Sequence, residues 1–191
     1  QMVDMLHNSR QNHNLVKSWM MDYGLFQGIN SQNRTAIVNQ FLQFVQTLTF
    51  NTDNLTIEQI KNNFTELLTK LFQTVNRSWV SATSKLLWCL YPNTIAIYDT
   101  FVHRTLAVMQ CLDDDLAGFS RIGEQPSIRS TNDIQGAVQH YMNYQAMVRK
   151  LLYTHSTLLQ ELRVQHQETY PYDVRILDKL LWMIGNFREM Y

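Results

Sequence analysis

The chain of 191 residues is short of helix breakers, with six glycines and only Pro92, Pro126 and Pro171 as prolines. Long stretches are therefore free to be helical, because nothing in them removes an amide donor or relaxes the backbone. Cysteine is equally scarce. Cys89 and Cys111 are too few for a disulfide framework and their spacing matches no zinc motif, so both are expected as small buried hydrophobes in a reducing compartment. Surplus charge is absent, since sixteen Lys and Arg balance sixteen Asp and Glu. A general nucleic-acid binder carries a positive excess, so any such contact here has to be made by a local patch. No run of about 18 apolar residues exists, which excludes a membrane-spanning helix. The opening Gln1-Met2-Val3-Asp4-Met5 has neither the basic nor the apolar region of a secretion signal, and a cytoplasmic location is expected. Without such a signal, the four glycosylation sequons, at Asn33, Asn54, Asn63 and Asn76, read as chance matches in an Asn- and Gln-rich chain. Alternating strand patterns are missing too. Thr94 to Tyr98 is the one β-like run, and it is short.

What is present is helical periodicity on a chain 45% apolar, enough to build a substantial core. The expected fold is all-α, a single domain over residues 1–191. A first helix is predicted from about His13 to Tyr23, ending near Gly24. A second covers Asn33 to about Leu48, with Ile37, Phe41, Phe44, Val45 and Leu48 on one face. Thr56 with Gln59 three positions on reads as a capping box opening a third helix, whose stripe is Ile60, Phe64, Leu67, Leu68, Leu71 and Phe72. Asp113 to about Arg129 reads as a connecting loop, its triple aspartate solvated or capping a neighbouring helix. A long helix begins near Asn132, breaks near His155 and resumes through Val164. The last runs from Asp173 to Ile184.

The segment from Ser78 to Leu106 is the one with chemical content. Ser84 is read as the cap of a helix starting at Lys85, which Pro92 forces to stop by Tyr91. Asp99 opens the next helix. The first helix rises about 9 Å over six residues, and Pro92–Tyr98 can span up to about 23 Å. The chain can thus bring Asp99 back beside Lys85. Two helix N-termini meeting there would favour a neutral lysine, the form an amine nucleophile needs. Asp99 serves either as an N-cap or as a proton relay, two compatible roles.

Thr83-Ser84-Lys85 and Ala96-Ile97-Tyr98-Asp99-Thr100-Phe101-Val102-His103-Arg104 resemble the lysine and aspartate regions of the helix-hairpin-helix DNA glycosylases, in particular the 8-oxoguanine DNA glycosylase branch. Ser-Lys-Leu-Leu-Trp…Pro…Ile-Tyr-Asp and the closing Arg175 to Gly185 also resemble a compact prokaryotic group with that fold, some of whose members sit in antiphage defence operons. The resemblance spans about 30 residues at the centre and about 15 at the end. It implies a helix-hairpin-helix glycosylase core, Lys85 as nucleophile at C1′ and Asp99 handling protons. It also implies a DNA or nucleotide substrate, a protein partner from a defence system as a further option, and neither metal nor cofactor. Ser81-Ala82-Thr83-Ser84 departs from the family's glycine-rich hairpin, which presents amides to a phosphate.

Around that pair, Ser84, His103, Arg104, Trp79 and Trp182 complete the candidate site. Arg104 is either a phosphate ligand or a surface ion-pair partner. His103, one turn after Asp99, either bonds it or contacts substrate. Trp79 and Trp182, like Trp88, either stack a flipped base or fill the core. A non-catalytic binding module on the same fold and a plain helical scaffold are the competing readings.

Overall fold

The computed structural model describes residues 13–48 and 55–186; the opening segment read above, and Asn54 of the second sequon, lie outside the described residues. Nine α-helices and one short 3-10 turn make up the secondary structure there, with no strand among the described residues. The all-α expectation holds. No helix among them is long and apolar enough to cross a membrane.

Helices α1 (His13–Asp22), α2 (Ser31–Thr47) and α3 (Ile57–Val75) form the first layer. Asn30 caps α2 by accepting from the Asn33 amide at 2.8 Å. The predicted capping box on α3 is present in both directions, Thr56 to Gln59 and back. The apolar stripe of α3 is wholly buried, and Phe64 stacks on Tyr141 with ring centroids 3.8 Å apart. Helix α4 (Val80–Leu90) packs on α3 and leads into α5 (Thr100–Leu112).

The segment expected as a loop after Asp113 contains a further short helix, α6 (Asp114–Ala117). Asp113 caps it through the Asp115 amide, and Asp115 pairs with Lys150 at 3.2 Å. The caps and the buried Leu116 stabilise one turn that sparse local periodicity does not reveal. Helix α7 (Ile134–Thr154) crosses α3, breaks at His155 as expected, and continues as α8 (Ser156–Gln165). Helix α9 (Asp173–Gly185) closes the fold against α5, the most extensive helix pairing among the described residues.

One contact makes that closure possible. A Cβ on Gly185 would lie 2.1 Å from the Phe101 carbonyl oxygen, so the two backbones meet where only glycine fits. Thr105 Oγ1 bonds the Leu181 carbonyl at 2.8 Å across the same joint. The cysteines divide. Cys89 is buried in α4, but Cys111 is exposed, because the last turn of α5 faces solvent.

Candidate functional site

Helix α4 starts at Val80, five residues earlier than its sequence suggests. Burial of Trp79, Val80 and Ala82 outweighs the capping preference of Ser84. Lys85 is therefore the sixth residue of an eleven-residue helix, and the N-terminal dipole argument for a neutral lysine fails. Ser84 has other work. Its buried hydroxyl donates to the Ser81 carbonyl at 2.8 Å and accepts from the Tyr98 amide at 2.8 Å. The residue before Lys85 is thus bonded to the residue before Asp99. This contact ties together the segments that bring both candidate groups into the lining of one cavity, and Ser84, fully buried, is a positioning residue out of reach of substrate.

The β-like run from Thr94 to Tyr98 forms no strand: Thr94 closes a turn, its amide and that of Ile95 both donating to the Tyr91 carbonyl at 3.0 Å. Side chains of α7 take the place of a partner strand. Gln145 accepts from the Ala96 amide and donates to the Thr94 carbonyl, each at 2.8 Å. The Tyr141 hydroxyl lies 3.0 Å from the Ala96 carbonyl, and the Tyr144 hydroxyl donates to the Ile97 carbonyl at 2.6 Å. Buried backbone groups demand such partners. Supplying them from a rigid helix fixes the register of the segment that delivers Asp99. Asp99 then caps α5, accepting from the Phe101 amide at 2.9 Å.

Lys85 and Asp99 line one cavity of about 290 Å³ with Tyr23, Ile97, Arg175, Asp178, Lys179 and Trp182. Among the described residues Lys85 makes no ion pair. Trp182 supplies an aromatic wall, braced edge-on by Phe101 with centroids 5.6 Å apart and covered by Lys179 Nζ at 4.2 Å. Tyr23 stands in the same lining, stacked on Trp19 at 4.8 Å. Burial pushes its phenol above the ordinary value, with nearby Arg175 opposing.

The other named residues are elsewhere. Trp79 is core, 5% exposed, and borders a separate cavity of about 230 Å³ with Arg77 and Ser81, where Lys85 forms the shared wall. His103 does not reach the Asp99 carboxylate. Its ring stacks on His140 at 5.2 Å beside Tyr98, whose hydroxyl lies 3.0 Å from His140 Nε2. Burial lowers both imidazoles, His140 to about 4, so this is a neutral pair, His103 buried and His140 half-buried. Among the described residues Arg104 makes no ion pair, and it does not line the cavity. It donates to the Gly185 carbonyl at 3.2 Å and so caps the end of α9, with its guanidinium 5.6 Å over Phe101.

The sequence reading missed Arg175, Asp178 and Lys179. Together with Trp182 they fall at the i, i+3, i+4, i+7 spacing of one helix face, the pattern normally held by apolar residues. A charged stripe on an inward face was the available signal. Asp178 is 8% exposed, with Arg175 on Oδ2 and no hydrogen-bond partner on Oδ1. Burial pushes its carboxyl up to about 6. Arg175 opposes this, the charge of Asp99 adds to it, and Lys85 opposes it more weakly. No cluster of three or more His, Cys, Asp or Glu among the described residues is placed to hold a metal. Comparison of the chain with protein-family models, with curated proteins and with solved structures finds no match.

Proposed function

We propose that the chain is an N-glycosylase of the 8-oxoguanine type, with lyase capacity, acting on a nucleotide held in the Lys85–Asp99 cavity. The observation that carries this reading is the cavity that Lys85 and Asp99 line together with the aromatic Trp182, their two segments joined by the Ser84–Tyr98 bond. An amine attacking C1′ needs a neighbouring group to take its proton, and a base removed from its stack needs a π-face. Asp99 answers the first need, and Trp182 answers the second when Lys179 swings off its ring. Once its ammonium proton has passed through Asp99 to water, Lys85 Nζ forms a bond to C1′ as the bond from C1′ to the base breaks, the base keeping the electron pair of that bond. Asp99 receives the proton released by the new iminium-forming amine. It returns that proton to O4′ when the sugar ring opens to the Schiff base. Every step uses side chains of this chain and water.

The departure at residues 81–84 favours a second reading, a nucleotide- or nucleic-acid-binding module on the same architecture. Those residues lie within helix α4 and present no glycine turn to a phosphate. A place in antiphage defence, with a protein partner, belongs to the resemblance and goes with either reading.

Borohydride trapping separates the two. Oligonucleotides carrying one 8-oxoguanine or one abasic site are expected to yield a covalent adduct with the native protein. Lys85→Gln is expected to lose the adduct with its melting temperature nearly unchanged, since Lys85 is half-buried and makes no ion pair among the described residues. No adduct on any single-stranded or duplex substrate would leave the binding module as the reading.

A further inference from the structure

Lys85 and Asp99 together leave the departing base without a proton, and they leave Asp178 without a task. An Arg–Asp pair spaced i,i+3 forms on a helix surface at little desolvation cost. Here the aspartate is instead turned inward, nine-tenths buried, in the lining of the cavity that holds Lys85 and Asp99. Its Oδ1 is itself buried and has no hydrogen-bond partner, an arrangement that costs stability while the cavity is empty. We propose that Asp178 is the proton donor to the departing base, a second catalytic carboxyl working opposite Asp99. This rests on the glycosylase reading.

The two carboxyls occupy different surroundings. Asp99 sits at a helix start and accepts the Phe101 amide. Asp178 is desolvated, and the charge of Asp99 adds to the effect of burial in keeping its proton on to about pH 6. A pair of acids held apart in this way divides into one that takes a proton and one that gives it. The base leaves with the electron pair of its bond to C1′. The proton of Asp178 passes to the nitrogen that held the sugar. Asp178 becomes a carboxylate, and Arg175, already bonded to it, balances the new charge. Lys85, now bonded to C1′, gives its own proton to Asp99. Both transfers balance without any added reagent.

The test uses Asp178→Asn on two probes. An oligonucleotide with 8-oxoguanine must expel a base; one with an abasic site has no base to expel. The substitution is expected to slow base release about 100-fold or more, the usual worth of a general acid, and to leave borohydride trapping on the abasic site unchanged. The base-release rate of the native protein, divided by that of the Asp178→Asn variant, is expected to fall as pH rises above 6. Equal losses on both probes would overturn the proposal and make Asp178 a structural residue. So would no loss on either, a rate ratio that does not move with pH, or a native protein that traps the abasic site but releases no base. A native protein that traps neither probe refutes the glycosylase reading itself, and this proposal with it.

Discussion

Gly185→Ala is the substitution whose sign most directly tests how α9 is seated. By helix propensity alone it should stabilise, by up to about 1 kcal/mol. The structure says the opposite. The new methyl group would meet the Phe101 carbonyl oxygen at 2.1 Å, its carbon at 2.7 Å and Thr105 Oγ1 at 2.7 Å. Two of these three atoms are backbone, so no rotamer change relieves the clash. Restoring ordinary contact drives α9 from α5 by roughly 1 Å, at an overpacking cost of about 1–3 kcal/mol or more. It also strains the Thr105–Leu181 and Arg104–Gly185 bonds across the joint. A net loss of about 2–3 kcal/mol is expected, which lowers the melting temperature by roughly 4–12 °C in a domain of this size. Gly136→Ala is the control. Gly136 lies in α7, exposed, with nothing within 4 Å of an added Cβ, so there the propensity gain should appear as a small rise in melting temperature. Thermal denaturation followed by circular dichroism reads both. If Gly185→Ala melts at or above the native temperature, the close approach of α9 to α5 is wrong, and with it the placement of Asp178, Lys179 and Trp182 in the cavity.

Gln145→Leu removes the partner of the buried Ala96 amide and is expected to cost about 2–3 kcal/mol. Urea denaturation checks it, and an unchanged midpoint would mean that α7 does not hold the 94–98 segment. Asp99→Ala should lose the α5 cap, about 1 kcal/mol, whereas Asp99→Asn should keep it. Native stability with loss of the trapped adduct in Asp99→Asn would separate the two roles of Asp99, and full trapping by that variant would refute the proton role. Acid–base linkage gives a further measurement. Asp178 titrates at about 6 in the folded protein and near 3.9 unfolded, so its protonated form favours the fold. That contribution is complete below about pH 4 and is lost as pH rises through 6. Between pH 5 and pH 7 the native protein should lose about 1.3 kcal/mol relative to Asp178→Asn. His140, held down to about 4, acts in the opposite sense, its contribution being lost as pH falls below the ordinary imidazole value. It is common to both proteins and cancels in the difference, so a difference that is flat between pH 5 and 7 would refute the assignment.

Local chemistry made much of the molecule legible in its sequence. The scarcity of Gly and Pro, the stripe of α3, the Thr56–Gln59 box, the break at His155 and the cap at Asp99 are all short-range features. Each is decided within one or two turns of chain, and each is present in the structure. That Lys85 and Asp99 share one cavity was readable for the same reason, because Pro92 and a short connection leave the chain little choice. Tertiary structure decided the rest. Burial of Trp79 and Val80 moved the start of α4 five residues upstream and took Lys85 out of the helix terminus. The hydroxyl of Ser84 went to Tyr98 because a buried amide 14 residues away needed an acceptor, a demand invisible at Ser84 itself. Arg104 went to the end of α9, 81 residues on, and His103 to a stacked partner on α7. Asp178 lies in the cavity lining because α9 approaches α5 at Gly185, close enough to carry a charged face inward. Sequence settles what a residue does to its own backbone. Which distant groups it must satisfy, and which charges it must share a cavity with, is set by how the helices pack.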